Sequence, residues 1–224
     1  MRSPIPSLVD QCAALRLIAI SLVLALAGAS VASAQVSIGI KGGANISNVS
    51  ATENGGEPAI PYDSRTGLLL GATVGVTVTP WLTVQLDGRY SQKGTRQTED
   101  EVTASLRLSY IDVPLIAKAY IPTKGSPVMP FLYAGGFVGF EASCGLSTSG
   151  AVSVDVDCET ADVGRQTNDY GVVFGGGTDV RLGPGAITLD VEYSLGLRNL
   201  ADDEDTGEAY SRVFSFAAGY RLIL

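Results

Sequence analysis

The 224-residue chain contains no histidine. That absence removes the Ser-His-Asp triad, the imidazole general base and His-ligated zinc. Charged side chains are scarce, at 17% against roughly 25% in ordinary soluble proteins. Long apolar runs are missing too. The best candidate, residues 17–29, is shorter than the about 20 residues that a membrane-crossing helix needs. The apolar residues that make up 46% of the chain must therefore be spread over alternating positions.

Residues 1–34 read as a secretory signal peptide. Arg2 and Arg16 flank the apolar run, which only Ser21 and Gly28 interrupt, and Ala32-Ser33-Ala34 has the small-residue pattern of a cleavage site. Cleavage would leave one domain, residues 35–224. Cys12 precedes the apolar run, so it is not the lipidated cysteine of a lipoprotein signal. Losing Arg2, Arg16 and Asp10 moves the net charge from −8 to −9, and such acidity speaks against nucleic acid as a partner. Cys144 and Cys158 remain. An even pair in an exported chain predicts a disulfide, here pinning a polar loop.

The mature chain alternates with period two, eight times over. Val36, Ile38 and Ile40 open the pattern. Leu68 to Val78 and Leu82 to Tyr90 continue it on even positions, and Ile187 to Leu197 and Phe214 to Leu224 show it most clearly. Between Leu106 and Ile121 the apolar phase shifts by one residue, which predicts a β-bulge. Pro114, unable to donate to a ladder, supports an irregularity there. The other two segments are residues 131–142 and 170–181. Each spans about 10 to 14 residues, enough for a tilted strand to cross a bilayer and longer than the ~5 to 6 of soluble strands. Tight connections at Thr79-Pro80-Trp81, residues 121–130 and Leu182-Gly183-Pro184-Gly185 alternate with long polar ones at 47–65, 92–103, 143–169 and 199–211. Short turns at one end and long loops at the other is the outer-membrane pattern. The fold class expected is all-β: an eight-stranded antiparallel, up-and-down transmembrane β-barrel in the bacterial outer membrane.

In such a barrel the apolar face meets lipid and the polar face lines the lumen. The lumen charge network expected comprises Asp87, Arg89, Asp112, Lys118, Glu141, Asp179, Arg181, Asp190, Glu192, Arg198, Arg212 and Arg221, with Lys41 and Gln85 on the same face. Eight strands leave an interior just filled by side chains, so mixed charges there should pair and plug the lumen.

Several segments in order resemble the porin-family or PorT-like outer-membrane barrels. They include residues 39–45, residues 86–94, Tyr110-Ile111-Asp112-Val113-Pro114-Leu115, Pro130-Phe131-Leu132-Tyr133-Ala134-Gly135-Gly136, Gly175-Gly176-Gly177, Tyr193-Ser194-Leu195-Gly196-Leu197 and Gly219-Tyr220-Arg221. The resemblance covers the mature chain and implies a small barrel of the OmpA/OmpX type. It carries over no catalytic residue. Tyr220, Leu222 and Leu224 fit the C-terminal strand signal read by the barrel assembly machinery, although the final residue is not aromatic.

The functional expectation is a structural or surface-interaction protein, not an enzyme. It would have no catalytic, metal or cofactor site, outer-membrane lipid and the assembly machinery as partners, a monomeric state and an unspecified extracellular partner. A narrow channel for small solutes and a soluble lipocalin-like carrier are the alternatives. Catalysis without histidine would need a perturbed carboxyl such as Asp190 or Glu192. The acidic segment 202–208 could hold Ca²⁺, but it lacks the order of a calcium loop and reads as a solvated loop.

Overall fold

The computed structural model describes residues 35–52, 63–99, 102–123, 125–149, 154–157, 167–199 and 208–224. The chain divides between Ala34 and Gln35. Residues 1–34, read above as a signal peptide, Cys158 and residues 202–207 of the acidic segment lie outside the described residues.

Among the described residues nine antiparallel strands follow in order: β1 (Val36–Thr52), β2 (Asp63–Thr79), β3 (Leu82–Glu99), β4 (Val102–Tyr120), β5 (Val128–Ser149), β6 (Val154–Asp157), β7 (Asn168–Leu182), β8 (Gly185–Gly196) and β9 (Glu208–Ile223). Eight of them close a ring, β1-β2-β3-β4-β5-β7-β8-β9, with β9 paired back to β1. Closure removes every edge, so each ring strand satisfies its backbone within the sheet, as lipid requires. Among the described residues the short β6 pairs only with β5 and stands outside the ring.

The stagger of the ring follows from the register. Stepping from Ile38 through Val74, Leu86, Leu115, Gly136, Val172, Leu195 and Arg212 returns to β1 at Asn48, ten residues further along. With a rise of about 3.3 Å per residue and about 4.8 Å between strands, that shear tilts the strands by about 40°.

The alternation is inside-out relative to a soluble barrel. Ile40 is 71% exposed, Leu132 62% and Phe174 50%, whereas Asp87 and Asp112 are 1% exposed and Asp179 is 0%. An apolar outer surface over a charged interior is stable only if lipid surrounds it. A lipocalin-like carrier would need the opposite arrangement, an apolar face lining a cavity.

The strands run further than the apolar pattern predicts. The segment 92–103, expected as a long loop, is mostly ladder: β3 reaches Glu99 and β4 begins at Val102. Likewise β5 continues for 22 residues, to Ser149. Alternation is required only where lipid covers the outer face, while backbone pairing can continue beyond it in polar sequence. The short ends match expectation. Pro80-Trp81 joins β2 to β3, and Gly183-Pro184 joins β7 to β8, with Gly183 at φ 61°. A positive φ opening a two-residue hairpin turn suits glycine.

The bulge predicted in β4 is real but belongs to its neighbour. Ser109 pairs with Ser143, and the next pair is Tyr110 with Glu141, so Ala142 of β5 is the extra residue. The phase of β4 is unbroken, and Leu108 turns inward beside Tyr110. Pro114 interrupts the β3–β4 ladder between Leu86–Leu115 and Arg89–Asp112 without changing its register. A residue without an N–H drops a bond yet leaves the side-chain order intact.

Candidate functional site

The lumen concentrates the chemistry of the chain. Strand β3 supplies Gln85, Asp87, Arg89, Ser91 and Lys93 on successive inward positions, all buried. Its partners come from strands across the ring.

Toward the long-hairpin end, Lys93 Nζ lies 3.0 Å from Asp112 Oδ1 and 4.0 Å from Asp169 Oδ2. The same ammonium sits 4.7 Å from the Tyr110 ring centre and 5.2 Å from that of Phe137. At mid-height Arg89 Nη1 meets Glu192 Oε1 at 2.6 Å, and its Nε lies 3.8 Å from Asp112 Oδ2. Glu192 also accepts from Ser194 Oγ at 3.0 Å and from the Tyr133 hydroxyl at 3.2 Å. Beside this pair, Lys41 Nζ is 2.7 Å from Asp87 Oδ2, and Gln85 Nε2 donates to Asp87 Oδ1 at 2.7 Å.

Toward the short-turn end Asp179 is the hub. It accepts from Arg221 Nη2 at 2.6 Å, from Thr188 Oγ1 at 2.6 Å and from the Tyr120 hydroxyl at 2.7 Å. Lys118 Nζ stands 4.0 Å from Asp179 Oδ1 and 3.8 Å from the Phe131 ring centre. Taking these charges out of water is costly, and mutual pairing with added hydrogen bonds offsets the cost. Two lumen cavities, of about 20 Å³ beside Lys41 and about 10 Å³ beside Lys93, offer room for about one water each.

Asp87, Arg89, Asp112, Lys118, Asp179, Glu192 and Arg221 thus meet in ion pairs. Asp190 points inward, part-buried, at the cavity wall shared with Lys41 and Lys118. Glu141 is part-buried beside the bulge, and Arg198 part-buried just past β8. Arg181 is exposed at the short-turn mouth. Arg212 is a correction: it is exposed on the outer face, in the same row as Phe214 and Phe216, and its Nη1 donates to the Tyr193 hydroxyl at 3.5 Å. Its place in an outward-facing alternation decides this, whatever its charge.

Sequence reasoning missed Lys93 and Asp169 as lumen residues because both fall in segments read as loops. It also missed the inward aromatics. In β5, Phe131, Tyr133 and Phe137 face the lumen, and each pairs across the ladder with a glycine of β7: Gly177, Gly175 and Gly171. The signal was available as Phe-x-Tyr-x-x-x-Phe in one strand and glycines at the same spacing in the next.

A model of the outer membrane protein β-barrel domain matches residues 29–202. The chain belongs to this family. Its place is the bacterial outer membrane. Similar solved structures include Ail, the attachment invasion locus protein of Yersinia pestis, at 12% identity over 84% of this chain and 99% of Ail, TM-score 0.41. Neisserial surface protein A is similar at 15% identity over 83% of this chain and 96% of its own, TM-score 0.46. OprG from Pseudomonas aeruginosa is similar at 13% identity over 84% of this chain and 96% of its own, TM-score 0.48. No curated protein matches the chain.

Membership of the family assigns the two ends. Short turns face the periplasm and long connections face outward.

Proposed function

We propose that this outer-membrane barrel is a non-conducting scaffold whose lumen is plugged by its own ion pairs and whose long hairpins work at the cell surface in a structural or contact role. The observation that carries the reading is the Arg89–Glu192 pair, 2.6 Å apart. It joins β3 to β8, strands on opposite sides of the ring, and the cavities beside Lys41 and Lys93 each have room for about one water. The outward projection supports the second half. At about 2.5 Å of height per residue for strands tilted by about 40°, the 22 residues of β5 far exceed an apolar band about 25 Å tall.

In this reading the barrel is non-catalytic and monomeric. It is solvated by outer-membrane lipid, inserted by the barrel assembly machinery, and engages an extracellular partner through its hairpins. The disulfide belongs to that surface. It would join Cys144 to Cys158, because Cys144 precedes Gly145, and Gly145 pairs with Asp157, the residue before Cys158 in the sequence.

Planar-bilayer recording tests the scaffold. The refolded mature barrel should give no stepwise current under an applied potential. Reproducible unitary steps from the wild-type chain would instead establish a narrow solute channel.

A further inference from the structure

We infer that the periplasmic mouth of the barrel holds a binding site for a small amphipathic organic anion, with its acidic head on Arg221 and Arg181 and its apolar body on Tyr120, Ile121 and Met129. A cavity of about 470 Å³ opens there. This goes beyond the surface role proposed above and does not depend on whether the lumen conducts.

Charge makes the case first. The chain carries a net charge of −8, yet no carboxylate side chain is among the described residues lining this cavity, while two arginines are. Asp179, the acidic partner of Arg221, lies behind the wall, and its two oxygens already take Arg221, Tyr120 and Thr188. Lys118 adds a further cation 4.0 Å from the same carboxylate. Behind the wall Asp179 and Asp190 face Lys118, Arg221 and Lys41, and at the mouth itself the exposed Arg181 adds a cation with no carboxylate side chain among the described lining residues. A low-dielectric recess lined by one sign of charge concentrates the opposite ion.

Hydrogen bonding points the same way. The Arg221 side chain is 9% exposed, and its Nε has no hydrogen-bond partner. A buried guanidinium donor left unsatisfied is costly, and a planar carboxylate or sulfonate is its natural acceptor. Tyr120 floors the cavity, held by its hydroxyl on Asp179 and by an edge-on contact with Phe131 at 5.7 Å. Ile121 and Met129 supply apolar wall, and Trp81 stands half-exposed at the rim. A concave, largely apolar site with a few convergent polar groups is the usual form of a small-molecule pocket.

Trp81 is the only tryptophan in the chain and gives a built-in reporter. The mature barrel in phosphatidylcholine nanodiscs is titrated with 1-naphthoate, and with the neutral 1-naphthamide as control. Heat and Trp81 emission are followed together. The naphthoate should bind saturably, one per barrel, with a change in Trp81 emission and an affinity about tenfold above that of the amide. R181Q, which alters an exposed side chain, should weaken the naphthoate several-fold and leave the amide unchanged. R221Q should weaken it further where the variant folds. Equal affinity for acid and amide, unchanged binding by R181Q, or a signal that grows without saturation in proportion to lipid would each overturn the site.

Discussion

Arg89 on β3 and Glu192 on β8 are four strands apart either way round the ring, and their charged atoms meet at 2.6 Å across it. The pair acts as a strut. Each end is held laterally as well: Arg89 by Asp112 and Ser194, Glu192 by Tyr133 and Ser194. Four of the eight ring strands, β3, β4, β5 and β8, are thus tied together. A barrel of ten-residue shear is wide enough that no single ladder fixes its cross-section, and the strut does so.

The first prediction concerns this pair. E192A leaves a buried guanidinium without its main partner and should destabilise the barrel by roughly 3–5 kcal/mol. R89M should cost a similar amount by stranding Glu192. The double variant R89M/E192M, free of both charges, should cost much less than the two together. Urea unfolding in lipid vesicles supplies the double-mutant cycle. Additive losses would show that the two side chains act independently and that the strut is fictitious.

The second prediction concerns the fit of aromatic rings over glycines. A Cβ on Gly175 would lie 2.7 Å from the ring end of Tyr133, and one on Gly177 would lie 2.9 Å from Phe131. In both cases the other side is backbone oxygen, Val191 or Leu189. G175A and G177A should each cost about 1–3 kcal/mol by overpacking. G136A, whose outward Cβ would meet only Gly171 oxygen at 3.6 Å, should be near neutral. Three equal urea midpoints would remove any packing role for the β7 glycines.

These features divide cleanly by how far they could be read in the sequence. The β8 alternation from Ile187 to Leu197 is strict, bounded by Gly183-Pro184, and fixes both the strand and its two faces. The inward row Gln85, Asp87 and Arg89 is equally plain, because charge alternates with Val84, Leu86 and Gly88. Lys93 and Asp169 were hidden because their outward neighbours stop being apolar where the strands leave the lipid, so a polar ladder and a polar loop look alike. Arg212 was misplaced because its charge was weighed above its position in the Phe214–Phe216 row. Phe131, Tyr133 and Phe137 share the parity of Glu141 but were passed over because only charged and polar residues were assigned to the lumen; the glycines of β7 leave the space for the rings. No spacing could reveal that Arg89 meets Glu192. That depends on the shear of the closed ring.

A third prediction tests the outer face. Val74 is 49% exposed, and β2 ends five residues on, at Thr79. At about 2.5 Å of height per residue this places Val74 about 12 Å from the short-turn end, close to the midplane of an apolar band about 25 Å tall. V74R should cost roughly 2–4 kcal/mol in vesicles. The same change at Leu224, exposed at the short-turn end, should cost about 0–1 kcal/mol. Equal costs at the two sites would mean that the outer surface does not cross a bilayer as described.

The last prediction separates the hairpin from the barrel. Cys144 sits on β5 beyond the bulge, where β6 takes over as a neighbour, and among the described residues β6 pairs with no other strand. A bridge from Cys144 to Cys158 would close a loop of about 15 residues, worth up to about 3 kcal/mol of order in the hairpin, yet it would cross no joint of the ring. The mature chain, unfolded in denaturant without reductant, should therefore expose no thiol to a colorimetric thiol reagent, and two after reduction. C144S should expose one. The folded, boiling-sensitive band on a denaturing detergent gel should survive reduction and the C144S change alike, because closure rests on β9 pairing with β1. Two reactive thiols before reduction would rule out the bridge. A species of doubled mass on a non-reducing gel would mean that Cys144 pairs between chains, and loss of the folded band on reduction would mean that the hairpin helps to close the ring.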